Sequence, residues 1–513
     1  METRTLSSQG PAKLPASKRS SYQFPVYRWI GWLTVAGYAT GLTVMFFIAG
    51  MFGIPAPLGW ASLVVMFVLG AMLLDRPKLL LGTMMFYFLL MPGNRLLGLL
   101  AFPLPPFIDE LFFLPFIAVI VMNWIQRRQL KEATLFPVAF CLLAALSWYV
   151  NGKPALFTAI QVTLVMLKFY IVWYYCRLTC TFENMRQMSK WLWGYIVYAA
   201  LQFPYNCLWQ KGVWLRFHPD ASGGVFGPLG GNAHLVGYLS VFGLICIAGW
   251  WVSVGGSATR RRRWAAGLLA LVITYNFIFM TDTKHALVLF PFAAAPFLFH
   301  PHFPVRLRIW LLTVGAGFIL MTIAYFNTTA GGVRFGQTWD SIEDSPKADM
   351  FYAVTGDFGH LVRYPILGAG PGRFASNQAR EARVPLARRY ILPFYDEARR
   401  LGYFGRRGTT VVSSVAGAVN ADFFVLMGEF GWLGAAAYYL FMGWVAVRLF
   451  RKSVELPRNN LLSGVYIALS CCLIFLVMIT LLTSISTIPV LVFPLWLLIG
   501  RTWDMRADEP TAA

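Results

Sequence analysis

Long apolar runs alternate along this chain with short polar stretches rich in Lys and Arg. A helix rising about 1.5 Å per residue needs about 20 apolar residues to cross the hydrocarbon core of a bilayer. Runs of that kind occur at about fourteen places: 29–52, 56–75, 79–94, 107–125, 134–150, 154–177, 190–210, 233–255, 264–281, 285–300, 309–326, 421–447, 461–482 and 485–501. The third, tenth and last are short or interrupted by proline. The pattern therefore predicts an all-α polytopic membrane protein with about 12–14 transmembrane helices. Residues 1–26 are polar and read as a disordered cytoplasmic tail with no cleavable signal peptide, and 503–513 form a second cytoplasmic tail. Between them, 27–326 hold the first set of spans and 420–502 the last three.

Residues 327–419 break this pattern. A loop beyond about 15 residues is usually functional or disordered, and the aromatics here, Trp339, Phe351, Tyr352, Phe358, Tyr364, Phe374, Tyr390, Phe394 and Tyr403, argue for order. Helices are expected at 346–362 and, interrupted near Pro385 and Pro393, at 376–401.

Charge orients the spans. Arg76 and Lys78; Arg127, Arg128 and Lys131; Arg177, Arg186 and Lys190; Arg260–Arg263; Arg306 and Arg308; and Arg448, Arg451 and Lys452 occupy alternate loops. All fall on the cytoplasmic side if both termini are cytoplasmic. Two substantial loops, 211–232 and 327–419, then face outward. The second carries twelve basic residues against eight acidic ones, on the side where arginine should be scarce. A cationic platform there calls for an anionic ligand.

Composition agrees. Of the 513 residues 58% are hydrophobic and 13% charged, about half the charged share of a soluble protein; the mean hydropathy is +0.60. The net charge of +21 is scattered over short loops, which disfavours a nucleic-acid partner and suits anionic lipid headgroups. The seven cysteines read as packing thiols, with no metal site.

Three outward segments hold the candidate chemistry. In Gly223–Leu239, GGVFGPLGGNAHLVGYL, glycines allow close backbone approach and Asn232 opens a span, where helix N–H groups lack partners; a capped tight turn explains the same residues. Arg216 lies just before it. In His360–Phe374, HLVRYPILGAGPGRF, a Tyr364-Pro365 break precedes a turn built on Gly368, Gly370 and Gly372 and bracketed by Arg363 and Arg373. It reads equally as a ligand clamp, since arginine forks match phosphate oxygens, and as loop geometry. In Val419–Leu440, VNADFFVLMGEFGWLGAAAYYL, Asn420 suits a helix cap and Asp422 its first turn. Glu429 lies two turns into an apolar run, where a carboxylate is costly and needs a partner; Lys284 of TDTKHALV is one candidate. Lys168 lies mid-span, and the histidines read as residues at span boundaries.

The order GVFG…N, TDTKHA, a large outward loop with YPILGAGPG, then NADFF…GEFGWLG resembles the O-antigen ligase and O-antigen polymerase superfamily of bacterial integral membrane glycosyltransferases, over residues 150–500. Lys284 stands where that family carries Arg, and Asn420 where it carries a loop histidine. The loop arginine ahead of the Gly-rich turn matches no single position; Lys347, Arg334 and Arg363 are candidates.

The resemblance implies a polyprenyl-diphosphate-linked oligosaccharide donor at the periplasmic face of the bacterial inner membrane, a glycan acceptor, and polysaccharide export or chain-length proteins as partners. It implies a metal-independent transfer without cofactor. Lys284, Arg363 and Arg373 would neutralise the leaving diphosphate, since no outward Asp-x-Asp pair is present to hold Mg²⁺. Asp422 would deprotonate the acceptor, with His360 as the alternative base, and Glu429 would orient Lys284. A polymerase of surface polysaccharide is the preferred expectation. An O-antigen ligase acting on lipid A-core, a lipid-carrier transporter and a non-catalytic assembly subunit are the alternatives.

Overall fold

The computed structural model describes residues 132–153, 156–209, 233–254, 256–281, 283–303, 362–376, 421–457, 459–483 and 489–505, with isolated positions at 81, 113, 116–117, 120–121, 124, 305–306, 308–309, 312–313, 351–352, 354–356 and 379. Among them every regular element is helical. In chain order these are α1 Glu132–Val150, α2 Leu156–Thr179, α3 Met185–Trp209, α4 Ala233–Val254, α5 Arg260–Tyr275 continued by a π-helical turn Asn276–Met280, α6 Lys284–Phe299, α7 Asp422–Glu455, α8 Leu461–Thr480 and α9 Pro489–Thr502. Each coincides with an apolar run predicted from the sequence. The expected spans at 29–52, 56–75, 79–94, 107–125 and 309–326 lie wholly or mostly outside the described residues. So does most of the 327–419 segment, although the positions described within 351–355 are helical, as expected.

Among the described residues five helices are long and apolar enough to cross a membrane: α2, α4, α5 with its π-turn, α7 and α8. α8 is the hub and packs against α3, α4, α6, α7 and α9, while α9 packs against α2 and α1 against α7. Apolar burial does not drive helices together in lipid, so close approach depends on small residues. At the α4–α8 crossing a Cβ on Gly249 would lie 2.3 Å from the Gly464 carbonyl oxygen, and one on Gly464 would lie 2.1 Å from the Gly249 oxygen. A second core is aromatic: Phe441 of α7 stacks on Phe136 of α1 at 4.1 Å and lies parallel to Trp496 of α9. α5 turns Trp264, Leu268 and Leu271 outward, as a lipid-facing helix would.

Contacts sort the helix ends into two faces. One face is closed by polar locks. Arg501 donates from Nε to the Cys180 carbonyl at 2.7 Å, its guanidinium lying over Phe182 and Trp191. Arg177 grips Asp504 with two bonds, at 2.6 and 3.0 Å, and Lys452 donates to the Trp503 carbonyl. His300, just past α6, accepts from the His302 amide at Nδ1, so its neutral ring donates from Nε2 to Ser453 Oγ at 2.9 Å. Ser453 in turn donates to the Ser463 carbonyl, which ties α6, α7 and α8 together. Burial, with His302 and Arg308 nearby, pushes the His300 imidazole down to about 4. The opposite face gathers Ser147, Asn151, Thr158, Asp422, Thr483 and the turn 362–376.

Replacing Gly464 by Leu overpacks the α4–α8 contact and should cost about 1–3 kcal/mol, read as a lower melting temperature of the purified protein in detergent. The folded His300 ring resists protonation, whereas the unfolded one titrates near its ordinary 6.5. Stability should therefore be full above pH 6.5 and fall as pH drops toward 4. The melting temperature of His300→Gln should depend less on pH across that window.

Candidate functional site

Helix α7 is two helices joined at a bend. Gly431 has φ +68° and ψ −172°, a conformation closed to residues with a Cβ. A Cβ on Gly434 would sit 2.3 Å from the Phe430 Cβ, so the chain turns sharply there. The Asp422 amide lies 3.4 Å from the Thr483 carbonyl oxygen, beside the Thr480 hydroxyl that meets Tyr439 Oη at 3.2 Å. In a straight helix Asp422 and Tyr439 would be about 25 Å apart.

The bend breaks two helical hydrogen bonds, those from Trp432 and Leu433 back to Gly428 and Glu429. Within lipid such freed groups cost several kcal/mol unless protein pairs them. The segment Pro365–Gly370 pairs all four. Trp432 and Leu433 donate to the Pro365 and Ile366 carbonyls at 3.3 and 3.2 Å. Ala369 and Gly370 donate to the Gly428 and Glu429 carbonyls at 2.8 and 3.1 Å. Backbone-to-backbone contact this close explains the glycines. A Cβ on Gly368 would sit 2.5 Å from the Gly431 nitrogen, and one on Gly431 would sit 2.3 Å from the Ile366 oxygen.

The Glu429 side chain completes the joint. It is fully buried, and its carboxylate accepts from three backbone amides of the turn: Gly372 at 2.5 Å, Phe374 at 3.1 Å and Ser376 at 2.8 Å. Gly372 presses on Thr158 of α2, and the Phe374 ring covers Gly428. The C-terminal end of α1 holds the other side. Ser147 Oγ donates to the Leu367 carbonyl at 2.5 Å, and Asn151 Nδ2 donates to the Gly368 carbonyl at 3.0 Å.

Of the predicted site residues, the structure brings Glu429 and Arg373 into one assembly and sets Arg363 on its rim. Arg363 is exposed, with its guanidinium 5.3 Å from the Tyr364 ring. Arg373 is half-buried and donates from Nη1 to the Asn151 carbonyl at 2.5 Å, at the negative end of α1; burial lowers its pKa. Asp422 is fully enclosed in the first turn of α7. Lys284 opens α6, but its side chain lies outside the described residues, as do Asn420, His360, Lys347, Arg334, Arg216 and Asn232. The expected Glu429–Lys284 partnership therefore lies outside the described residues; within them the Glu429 carboxylate is held by turn amides. The turn's amides at 369, 370, 372, 374 and 376 are spent on α7. The side chains of Arg363 and Ile366 stay exposed on its outer edge.

Sequence reasoning missed Ser147, Asn151 and a group on α4 and α6. The Tyr238 hydroxyl lies 2.5 Å from His285 Nε2, and the His234 and His285 rings are 5.0 Å apart. Gly237 makes this approach workable, since a Cβ there would lie 2.2 Å from Thr283 Oγ1. Below it, Asn206 Nδ2 donates to Asn276 Oδ1 and Asn276 Nδ2 to Ser240 Oγ, at 2.8 and 3.2 Å, beside the π-helical turn. No protein-family model matches the chain, and no curated protein matches it.

Glu429→Gln trades one acceptor oxygen for an amide that faces N–H donors, and should cost about 3 kcal/mol. Hydrogen exchange should quicken at Gly372, Phe374 and Ser376 before the rest of the bundle responds. Gly431→Ala should disrupt the same turn, since the methyl would strike the Ile366 carbonyl.

Proposed function

We propose that the protein is a polyprenyl-diphosphate-dependent glycosyltransferase, joining lipid-linked oligosaccharide repeats into a surface polysaccharide at the outer face of the bacterial inner membrane. The observation that carries this reading is an exposed arginine, Arg363, next to a turn whose backbone is hydrogen-bonded to α7. A diphosphate leaving group carries concentrated negative charge. A guanidinium meets it with two parallel N–H···O bonds, and a rigid mount means little reorganisation at the transition state. Lys284 opens α6 on the same side of the bundle, where a helix N-terminus favours anions.

The sidedness rests on charge. The face opposite the turn carries Arg177, Arg260–Arg263, Arg448 and Arg451, as a cytoplasmic face should. With that face cytoplasmic, the turn and 327–419 would lie outside, where a lipid-linked donor would be presented. The reaction forms a bond from an acceptor hydroxyl to the anomeric carbon of the donor. It breaks the bond from that carbon to the diphosphate oxygen, and the electron pair leaves with the lipid diphosphate. The aromatic rings of Tyr352 and Tyr364 offer faces for sugar rings. A ligase would share this chemistry and differ in the acceptor. The bent α7 also suits a transporter, in which broken helices surround the substrate.

Deleting the gene and sizing the polymer separates these readings. Single lipid-linked repeats should accumulate; long chains left on the carrier would indicate a ligase, and intact repeats trapped inside would indicate a transporter. Arg363→Ala and Lys284→Ala should each cut polymer formation at least tenfold with membrane levels unchanged. Normal polymer from both variants would leave only a non-catalytic assembly role.

A further inference from the structure

A glycosyl transfer to a hydroxyl needs a group that takes the hydroxyl proton, and among the described residues the carboxylates at this face are poorly placed for that. Asp422 and Glu429 are both fully enclosed, and Glu429 is occupied by three turn amides. His234 and His285, by contrast, are only partly buried. Fifty-one positions apart in sequence, they meet because α4 and α6 both begin at this end of the bundle and Gly237 lets the 281–283 turn close on α4. Tyr238 is fully buried against Phe475 of α8, and its hydroxyl fixes His285 at Nε2. Phe475 lies about one to two helical turns from Thr480 and Thr483, the residues beside Asp422. The imidazoles, the start of α6 at Lys284 and the bent helix thus lie around the same end of α8.

We propose that the His234–His285 pair is the proton acceptor for the attacking hydroxyl, and that Tyr238 positions it. This rests on the glycosyltransferase reading above. As the hydroxyl oxygen bonds to the anomeric carbon, its proton passes to the imidazole pair. The glycosidic bond to the diphosphate breaks, with the electron pair leaving on the diphosphate, and the imidazolium later releases its proton to water. The two ring centroids lie 5.0 Å apart, so either imidazole is within reach of one hydroxyl held between them. An imidazole is suited to this task because its ordinary pKa lies near the working pH.

The test uses the purified full-length protein, a lipid-linked repeat as substrate, and polyprenyl diphosphate as a binding probe. His234→Ala and His285→Ala should each lower kcat by about 10²-fold or more. The double variant should be little worse than either single, as expected of groups that act as a unit. Affinity for polyprenyl diphosphate should stay within threefold. Added imidazole should restore part of the lost rate, an effect that a packing role would not produce. Tyr238→Phe should lower kcat and leave KM unchanged. Active wild type with both histidine variants within threefold of it, or variants that imidazole fails to rescue, would overturn the assignment while leaving the transferase reading intact. Wild type that neither binds the probe nor transfers sugar would overturn both.

Discussion

The rest of this face depends on one exchange of hydrogen bonds. A helix that bends within lipid must surrender backbone pairs, and nothing in hydrocarbon replaces them. Here the bend at Gly431 surrenders two, and the segment Pro365–Gly370 supplies four partners. Glu429 then binds the outgoing part of the same segment with its carboxylate. The bend and the turn are therefore one object: neither has a satisfied backbone without the other. Ser147 and Asn151 fasten this object to α1, and Gly372 fastens it to α2.

The two faces are built on different physics. The face opposite the turn is held by charged side chains that lie against aromatic rings and grip carbonyls, as at Arg501 and Lys452. The face with the turn is held mostly by backbone amides, hydroxyls and one carboxylate. Its arginines divide accordingly. Arg373 is drawn into the structure by the Asn151 carbonyl, whereas Arg363 stays at the surface over Tyr364. That division, more than the number of arginines, gives the proposed anion site its shape.

Much of the fold was legible in the sequence, because a membrane span needs a run of apolar residues that local reading can find. Each of α1 to α9 falls on such a run. Glu429 was legible as a costly carboxylate within an apolar stretch, but its partners were not. They are main-chain amides more than fifty positions earlier, and an amide leaves no mark in a sequence. The glycines at 368, 370 and 372 were readable as a turn, and all three have positive φ. That the room they make is for Gly431, Glu429 and Thr158 depends on tertiary contact and had no local signal. His234 and His285 read as separate boundary residues because only the packing of α4 against the 281–283 turn joins them. Ser147 and Asn151 had at most the faint signal of polar residues closing an apolar run.

The joint also has a topological consequence. Ser376 is pinned to Glu429, and the chain re-enters the bundle at Asp422, about 10 Å along the same helix from that carboxylate. The stretch between therefore leaves and returns at nearly one spot. Closing such an excursion costs only about 0.6 kcal/mol more for each doubling of its length. That stretch can lengthen or shorten without disturbing the anchor from which it hangs.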